Sequence, residues 1–327
     1  MSLDADLIVD RRRMRRKLTF WRAATVLILI AVVVGGALTF ARSRGAMPPV
    51  VGGYIARITI EGLITNNRQR TEALKQLADS NAKAVIVHIN SPGGTVAGSE
   101  ELYDALAKVK AKKPMVVVVD GLAASGGYIA AMASDRIMAQ QSSIVGSIGV
   151  IFQIPNFTEL LKTVGVQVEM IKSSPLKASP NGLEPTTPEA RAAIEALIKD
   201  SYGWFKDLVR DRRGFDQATL DKVADGRVYT GRQALELKLI DALGDETAAV
   251  DWLAKEKGFD PKTPVRDYRL NPRFGDLPFL HTAAVLMLDA VGLNGFAERF
   301  KSLGAVQAVE RLNLDGLLAL WHPSATN

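Results

Sequence analysis

The chain contains no cysteine and only three histidines in 327 residues. The first absence removes disulfide frameworks, thiol nucleophiles and thiolate metal sites. The second leaves few candidates for the base most often found beside a catalytic nucleophile. There is no internal repeat and no low-complexity tract. Excess charge is missing from most of the chain as well. The net charge is +6, but residues 1–22 hold seven Lys/Arg against three Asp, Arg42 and Arg44 add two more, and the remainder sums to zero. A protein that grips phosphates needs positive charge on its folded part, so nucleic-acid binding is excluded as a function class. What is present is 47% hydrophobic and 23% charged residues, enough for a full core and consistent with one domain plus appendages.

Residues 23–41, AATVLILIAVVVGGALTFA, carry no charge. At about 1.5 Å per residue they match a hydrocarbon core about 30 Å thick. A cleaved signal peptide is the competing reading. The apolar run exceeds the usual signal core of about 7–15 residues, however, and no A-x-A site follows it. We therefore expect a retained single-pass anchor. The flank RRRMRRK at residues 11–17 outweighs Arg42 and Arg44, which places residues 1–22 in the cytoplasm and the rest across the membrane. Residues 42–52 read as a linker, 53–260 as the main domain, and 261–327 as an extension. Within that extension, residues 279–293 are expected to form an amphipathic helix.

From residue 54 onward, short apolar strands alternate with helical segments, the pattern of an α/β domain with crossover connections. Residues 54–61 alternate in polarity. Residues 84–89 and 115–119 are nearly continuous in Val and Ile, as expected for strands covered on both faces. Helices are predicted over residues 96–112, 126–134 and 188–209, and a strand ending at Lys172.

Two glycine-containing joints follow the two buried strands, at the strand ends where ligands of open α/β sheets bind. The first is Asn90-Ser91-Pro92-Gly93-Gly94, read either as a tight turn or as backbone aimed at a developing oxyanion. The second runs from Gly121 to Tyr128, and Ser125 opens the helix predicted from Gly126. Ser125 is either an N-cap or a nucleophile whose small neighbours leave its hydroxyl open to an extended peptide. Ser147, in VGSIGV, is the second choice of serine. None of the histidines fits the role of base: His88 lies inside an apolar strand and reads as a hydrogen-bonded core residue, while His281 and His322 fall in the C-terminal region. Lysine remains, and it works only when neutral, which takes a fall of about 3 pKa units, roughly 4 kcal/mol, supplied by burial. Lys177 has small or apolar neighbours; Lys172 is its rival, expected to be an exposed strand-terminal residue.

In order along the chain come the apolar N-terminal segment, NSPGG at residues 90–94, AASGGY at 123–128, SDRIMA at 134–139, VGSIGV at 145–150, MIKSSPLKASP at 170–180 and DGRVYTGRQALELKLIDALG at 225–244. This series resembles the bacterial signal peptide peptidase A family, short form. That family consists of Ser/Lys peptidases on a crotonase/Clp-protease-like fold of repeated ββα units. The resemblance covers residues 51–258. It implies Ser125 as nucleophile, Lys177 as general base, and Gly93, Gly94 and Gly126 as oxyanion-hole elements, with no metal or cofactor. It further implies signal-peptide remnants as substrates, location in the bacterial inner membrane with the catalytic domain periplasmic, and a homo-oligomer, an octamer, in which Ser and Lys pair either within one protomer or between protomers. A crotonase-type acyl-CoA enzyme and a non-catalytic membrane scaffold are the alternatives from other classes.

Overall fold

A computed structural model describes residues 53–270 and 318–321, together with Gly35. The expected anchor at 23–41, Gly35 apart, and the expected helix at 279–293 lie outside the described residues. Among the described residues no helix is long and apolar enough to cross a membrane. The chain falls into two compact units, residues 1–52 and 53–327, and the sheet belongs to the second.

Its centre is three parallel strands, β1 (Tyr54–Ile64), β2 (Ala82–Thr95) and β3 (Met115–Ala124). They are joined by α1 (Arg68–Asp79) between β1 and β2 and by α2 (Val96–Lys110) between β2 and β3. Such crossovers are what parallel pairing demands. Both faces of the central strands are covered, which explains their unbroken apolar runs. On one face Val85, Val87, Ile89, Met115, Val117 and Val119 join the large core. On the other, Ala84, Ile86, Val116 and Val118 pack with Ala249 and Leu253 of α8 (Glu246–Lys257).

The predicted strands run on past their expected ends. β2 continues through the whole of the first glycine joint and β3 runs into the second as far as Ala124, so residues 90–95 and 121–124 are extended backbone and the turn is confined to Ser125. The reason is that each finds a new partner. Residues 116–119 of β3 pair with β4 (Arg136–Ala139), whereas residues 122–124 pair with β5 (Ile144–Gly146). Register shifts occur in β1 between Glu61 and Leu63 and in β2 between Ile89 and Ser91, beyond which Gly93 and Gly94 pair with Leu63 and Ile64. Bulges of this kind bend a strand and redirect the residues beyond them. Here they carry all three central strands into a second, smaller set of pairings on the level of the joints.

Past β3 comes α3 (Gly126–Ala131), and later α4 (Thr158–Thr163), α5 (Pro188–Arg213), α6 (Gln217–Val223), β6 (Val228–Thr230), α7 (Gly231–Glu236) and β7 (Ala242–Leu243). α5 starts with Pro188 in its first turn under a Thr187 cap and ends at Gly214 in the left-handed region. The sheet also extends past residue 260, where the sequence reading ended the domain. β8 (Val265–Asp267) pairs with β1, and β9 (Leu318–Leu320) pairs antiparallel with the end of β2. No strand forms over residues 166–172: that segment has no pairing partner among the described residues.

Candidate active site

Ser125 sits between β3 and α3 with φ 53° and ψ −115°, a conformation costly for a residue with a side chain. The turn is held from three directions. The Ser125 N–H donates to the Gly146 carbonyl at 2.7 Å, and the Ser125 carbonyl accepts from the N–H groups of Tyr128 and Ile129. The Tyr128 hydroxyl, fully buried, donates to the Leu239 carbonyl at 2.6 Å and anchors the short helix to the body of the protein. A strained turn fixed by surrounding structure is a recurrent device at reactive residues.

The hydroxyl of Ser125 makes no capping bond, so the N-cap reading does not describe what this side chain does. It is buried and has no hydrogen-bond partner. An orphaned buried hydroxyl is a net cost to the fold, on the order of 1–3 kcal/mol, and calls for a reason outside stability. The residue is 1% exposed, whereas the sequence reading expected its hydroxyl to be open to a peptide. α3, at six residues, is also too short for the sequence argument from a helix dipole to carry weight.

The two glycine joints come together beside Ser125, since Ser91 and Ala123 are register partners. Gly127 allows that approach: a Cβ there would stand 2.7 Å from the Ser91 carbonyl oxygen. Gly94 is tighter still, with a hypothetical Cβ 1.8 Å from the Ile64 carbonyl oxygen. Ser91 shapes the strand by donating to the Gly62 carbonyl at 2.7 Å while accepting from the Gly93 N–H at 3.1 Å. Thus Ser125, Gly93, Gly94 and Gly126 occupy one level of the fold, with the Gly93 N–H engaged. Ser147 also has positive φ, but its N–H donates to the Arg227 carbonyl and it follows the strand whose Gly146 carbonyl braces Ser125.

Lys177 is not brought to Ser125 by any contact. It lies exposed on a turn, its N–H bonded to the Ser174 carbonyl, and its amine has no hydrogen bond or ion pair among the described residues. The described residues therefore do not supply the dry surroundings a neutral lysine needs. Lys172 corrects the expectation of an exposed strand end: its side chain is mostly buried and ion-paired to Glu184. That pairing holds the Glu184 carboxyl below the usual range, and Ser179 and Asn181 also bond to it. Lys172 is thus a structural clasp.

The segment bearing both lysines is unlike the rest of the protein. α4 buries none of its residues, and Phe157, Leu160, Val164, Val166, Val168, Leu176 and Leu183 are exposed, with Ile171 almost wholly so.

His88 behaves as its sequence setting indicates. Strand alternation turns it away from the Ser125 side, and both ring nitrogens are satisfied, Nδ1 by Asp120 at 2.8 Å and Nε2 by Glu246 at 2.9 Å. Glu246 also receives two bonds from Arg57, which hold its carboxyl below the usual range against the opposing effect of burial. This network was not visible from sequence, because its members come from β1, β2, β3 and α8.

The sequence profile for Clp protease matches residues 57–146, and that for Peptidase family S49 matches residues 107–260. Sheet and matches together define a serine peptidase built on the Clp-protease type of mixed α/β sheet. A protein of Synechocystis sp. named as a protease is 41% identical over 209 residues, covering 63% of this chain and 76% of that one. A protein of Enterococcus faecium named for the signal peptide peptidase SppA is 34% identical over 202 residues, covering 61% of this chain and 59% of that one. The chain belongs to peptidase family S49. Among solved structures, ClpP1 of Listeria monocytogenes aligns with a TM-score of 0.38 and 16% identity over 58% of this chain and 91% of that one, a likeness too low to argue from.

Proposed function

We propose that this serine peptidase is a membrane-anchored endopeptidase in which Ser125 is the nucleophile and Lys177 the general base, acting on remnants of signal peptides and other apolar peptide segments. Residues 23–41 anchor it by a single pass, with the catalytic domain on the outer side of the inner membrane. The observation that carries the reading is Ser125 itself: a strained, buried, unpartnered hydroxyl beside a glycine-rich strand. A fold gains nothing from a strained backbone and an unpaired hydroxyl, whereas an oxygen kept free for a base and a substrate carbonyl accounts for both.

In this mechanism neutral Lys177 takes the Ser125 proton as Oγ attacks the peptide carbonyl. The new C–O bond forms, the carbonyl oxygen becomes an oxyanion, and collapse expels the amine with a proton returned from Lys177. Water then hydrolyses the acyl-enzyme by the same base. The Gly126 N–H and the Gly93–Gly94 strand supply oxyanion donors; the Gly93 N–H has to leave Ser91 Oγ to take part. The exposed apolar segment around Lys177 supports a base completed by assembly, because packing that surface against a neighbouring copy would dry the amine. A ring of identical subunits, an octamer, is the proposed form. A serine-reactive fluorophosphonate tests the nucleophile. Labelling is expected in the wild type and absent in Ser125→Ala, with hydrolysis down on the order of 10⁴–10⁶-fold. Unchanged labelling of Ser125→Ala removes Ser125 from the mechanism.

A further inference from the structure

Residues 173–178 are all exposed, so no apolar packing fixes the backbone that carries Lys177. Polar bonds fix it instead, and they converge on one atom. Glu184 Oε1 pairs with Lys172 Nζ and accepts from Asn181 Nδ2 at 3.0 Å and from Ser179 Oγ at 3.3 Å. Asn181 Nδ2 also donates to the Ala178 carbonyl at 2.8 Å, while Asn181 Oδ1 accepts from the Leu183 N–H at 2.9 Å. One carboxylate thus ties the chain on one side of Lys177 to the chain on the other.

Two features set this cluster apart from a surface ion pair. Ala178, directly after Lys177, has φ 53°, a conformation costly for a residue with a side chain, and the bond from Asn181 to its carbonyl holds it there. The Lys172 side chain is only 13% exposed, within a segment, residues 157–187, that buries no apolar side chain. Removing an ammonium and a carboxylate from water costs about as much as their attraction returns, so such a pair adds little net stability. What it does set is the path of the chain.

We infer that Lys172 and Glu184 are positioning residues for peptide hydrolysis: their pairing holds the turn over residues 174–181 in the shape that presents Lys177, and neither touches the reacting atoms. The inference rests on the reading of Lys177 as general base. It gives the two lysines of the segment separate tasks. Lys172, enclosed and paired, shapes the turn; Lys177, carried by that turn, moves the proton. A base displaced by about 1 Å loses on the order of 10²-fold in rate, so the shape of an otherwise unpacked turn bears directly on turnover.

The test measures kcat and KM for an apolar fluorogenic peptide, together with sedimentation and thermal unfolding, on full-length variants. In the double variant Lys172→Met/Glu184→Leu both charges are replaced by apolar groups, so neither is left buried and unpaired. Its kcat is expected to fall about 10²-fold, with KM, sedimentation and melting temperature as in wild type. Glu184→Gln keeps an acceptor for Lys172, Ser179 and Asn181, and Lys172→Arg keeps a cation for Glu184; both are expected to retain a kcat near that of wild type. Wild-type kcat in the double variant, with Lys177→Ala inactive, overturns the inference and leaves Lys177 as the base. A double variant that loses assembly or melts early, with no recovery of kcat in Glu184→Gln, makes the pair plain support of the fold and also overturns it. Turnover that survives Lys177→Ala and is lost in Lys172→Arg makes Lys172 the base, because arginine does not give up its proton, and the proposed mechanism fails along with the inference.

Discussion

The strands around Ser125 and the segment around Lys177 obey opposite rules. In the first region nearly every apolar side chain is buried on one of the two sheet faces, and backbone groups are matched strand to strand. In the second, from Phe157 to Leu183, apolar side chains are exposed, one six-residue helix buries nothing, and no residue pairs into the sheet among the described residues. The described residues satisfy the first region and not the second. The proposed nucleophile is thus held within the chain, down to its strained backbone, whereas the surroundings of the proposed base are left to whatever covers the exposed segment. In the proposed mechanism catalysis is tied to assembly, and an isolated subunit is inert.

The sharpest way to break the contrast is to remove the base. Lys177→Ala is expected to cut turnover by about 10²–10⁴-fold. Because the side chain is exposed and unpaired, its loss should change stability by no more than about 0.5 kcal/mol. Parallel measurement of hydrolysis and thermal unfolding checks both halves; a large stability loss would show that Lys177 is structural. Next in size is the apolar surface. Ile171→Asp places a charge on an almost fully exposed residue, so the subunit fold should survive while association weakens and activity falls by about tenfold at fixed protein concentration. Sedimentation of the variant against wild type decides it, and unchanged assembly with full activity would mean that the segment faces solvent in the working enzyme.

The smallest effect belongs to the well-packed region. Glu246 is held below its ordinary value of 4.5, chiefly by the bond from Arg57. A carboxyl with a depressed folded value contributes stability above its unfolded value and loses that contribution as pH falls through the folded one. Glu246→Gln should therefore melt at a lower temperature than wild type near neutral pH, with the gap closing on acidification below 4.5. A gap that does not change with pH would assign the effect to lost packing.

The same contrast marks what sequence reveals. Strands covered on both faces write themselves as Val/Ile runs, so the starts of β1 and β3, that of β2 to within two residues, and α2 between β2 and β3 follow from pattern alone, whereas α1 was not among the predicted helices. Their far ends do not. Residues 90–95 and 120–124 look like turn chemistry, and only the arrival of β5, β9 and the bent end of β1 makes them strand. The Ser125 joint was legible because small residues cluster at a strand-to-helix change, but the burial of its hydroxyl was not, since burial is set by tertiary packing and not by local sequence. Lys172 and Lys177 look alike in sequence. What separates them is Glu184, twelve residues beyond Lys172 and brought back by the loop. The apolar residues at 164–171 suggested a strand because period-2 alternation does not say whether a partner exists.

Mixing two inactive variants tests most directly whether neighbouring subunits complete the site. Ser125→Ala subunits retain Lys177, and Lys177→Ala subunits retain Ser125. If the pair forms between subunits, co-assembly at equal amounts restores about a quarter of wild-type activity, the fraction of sites receiving both intact residues in a randomly mixed closed ring. Co-assembled mixtures that stay as inactive as either variant alone would contradict a base delivered by a neighbouring copy.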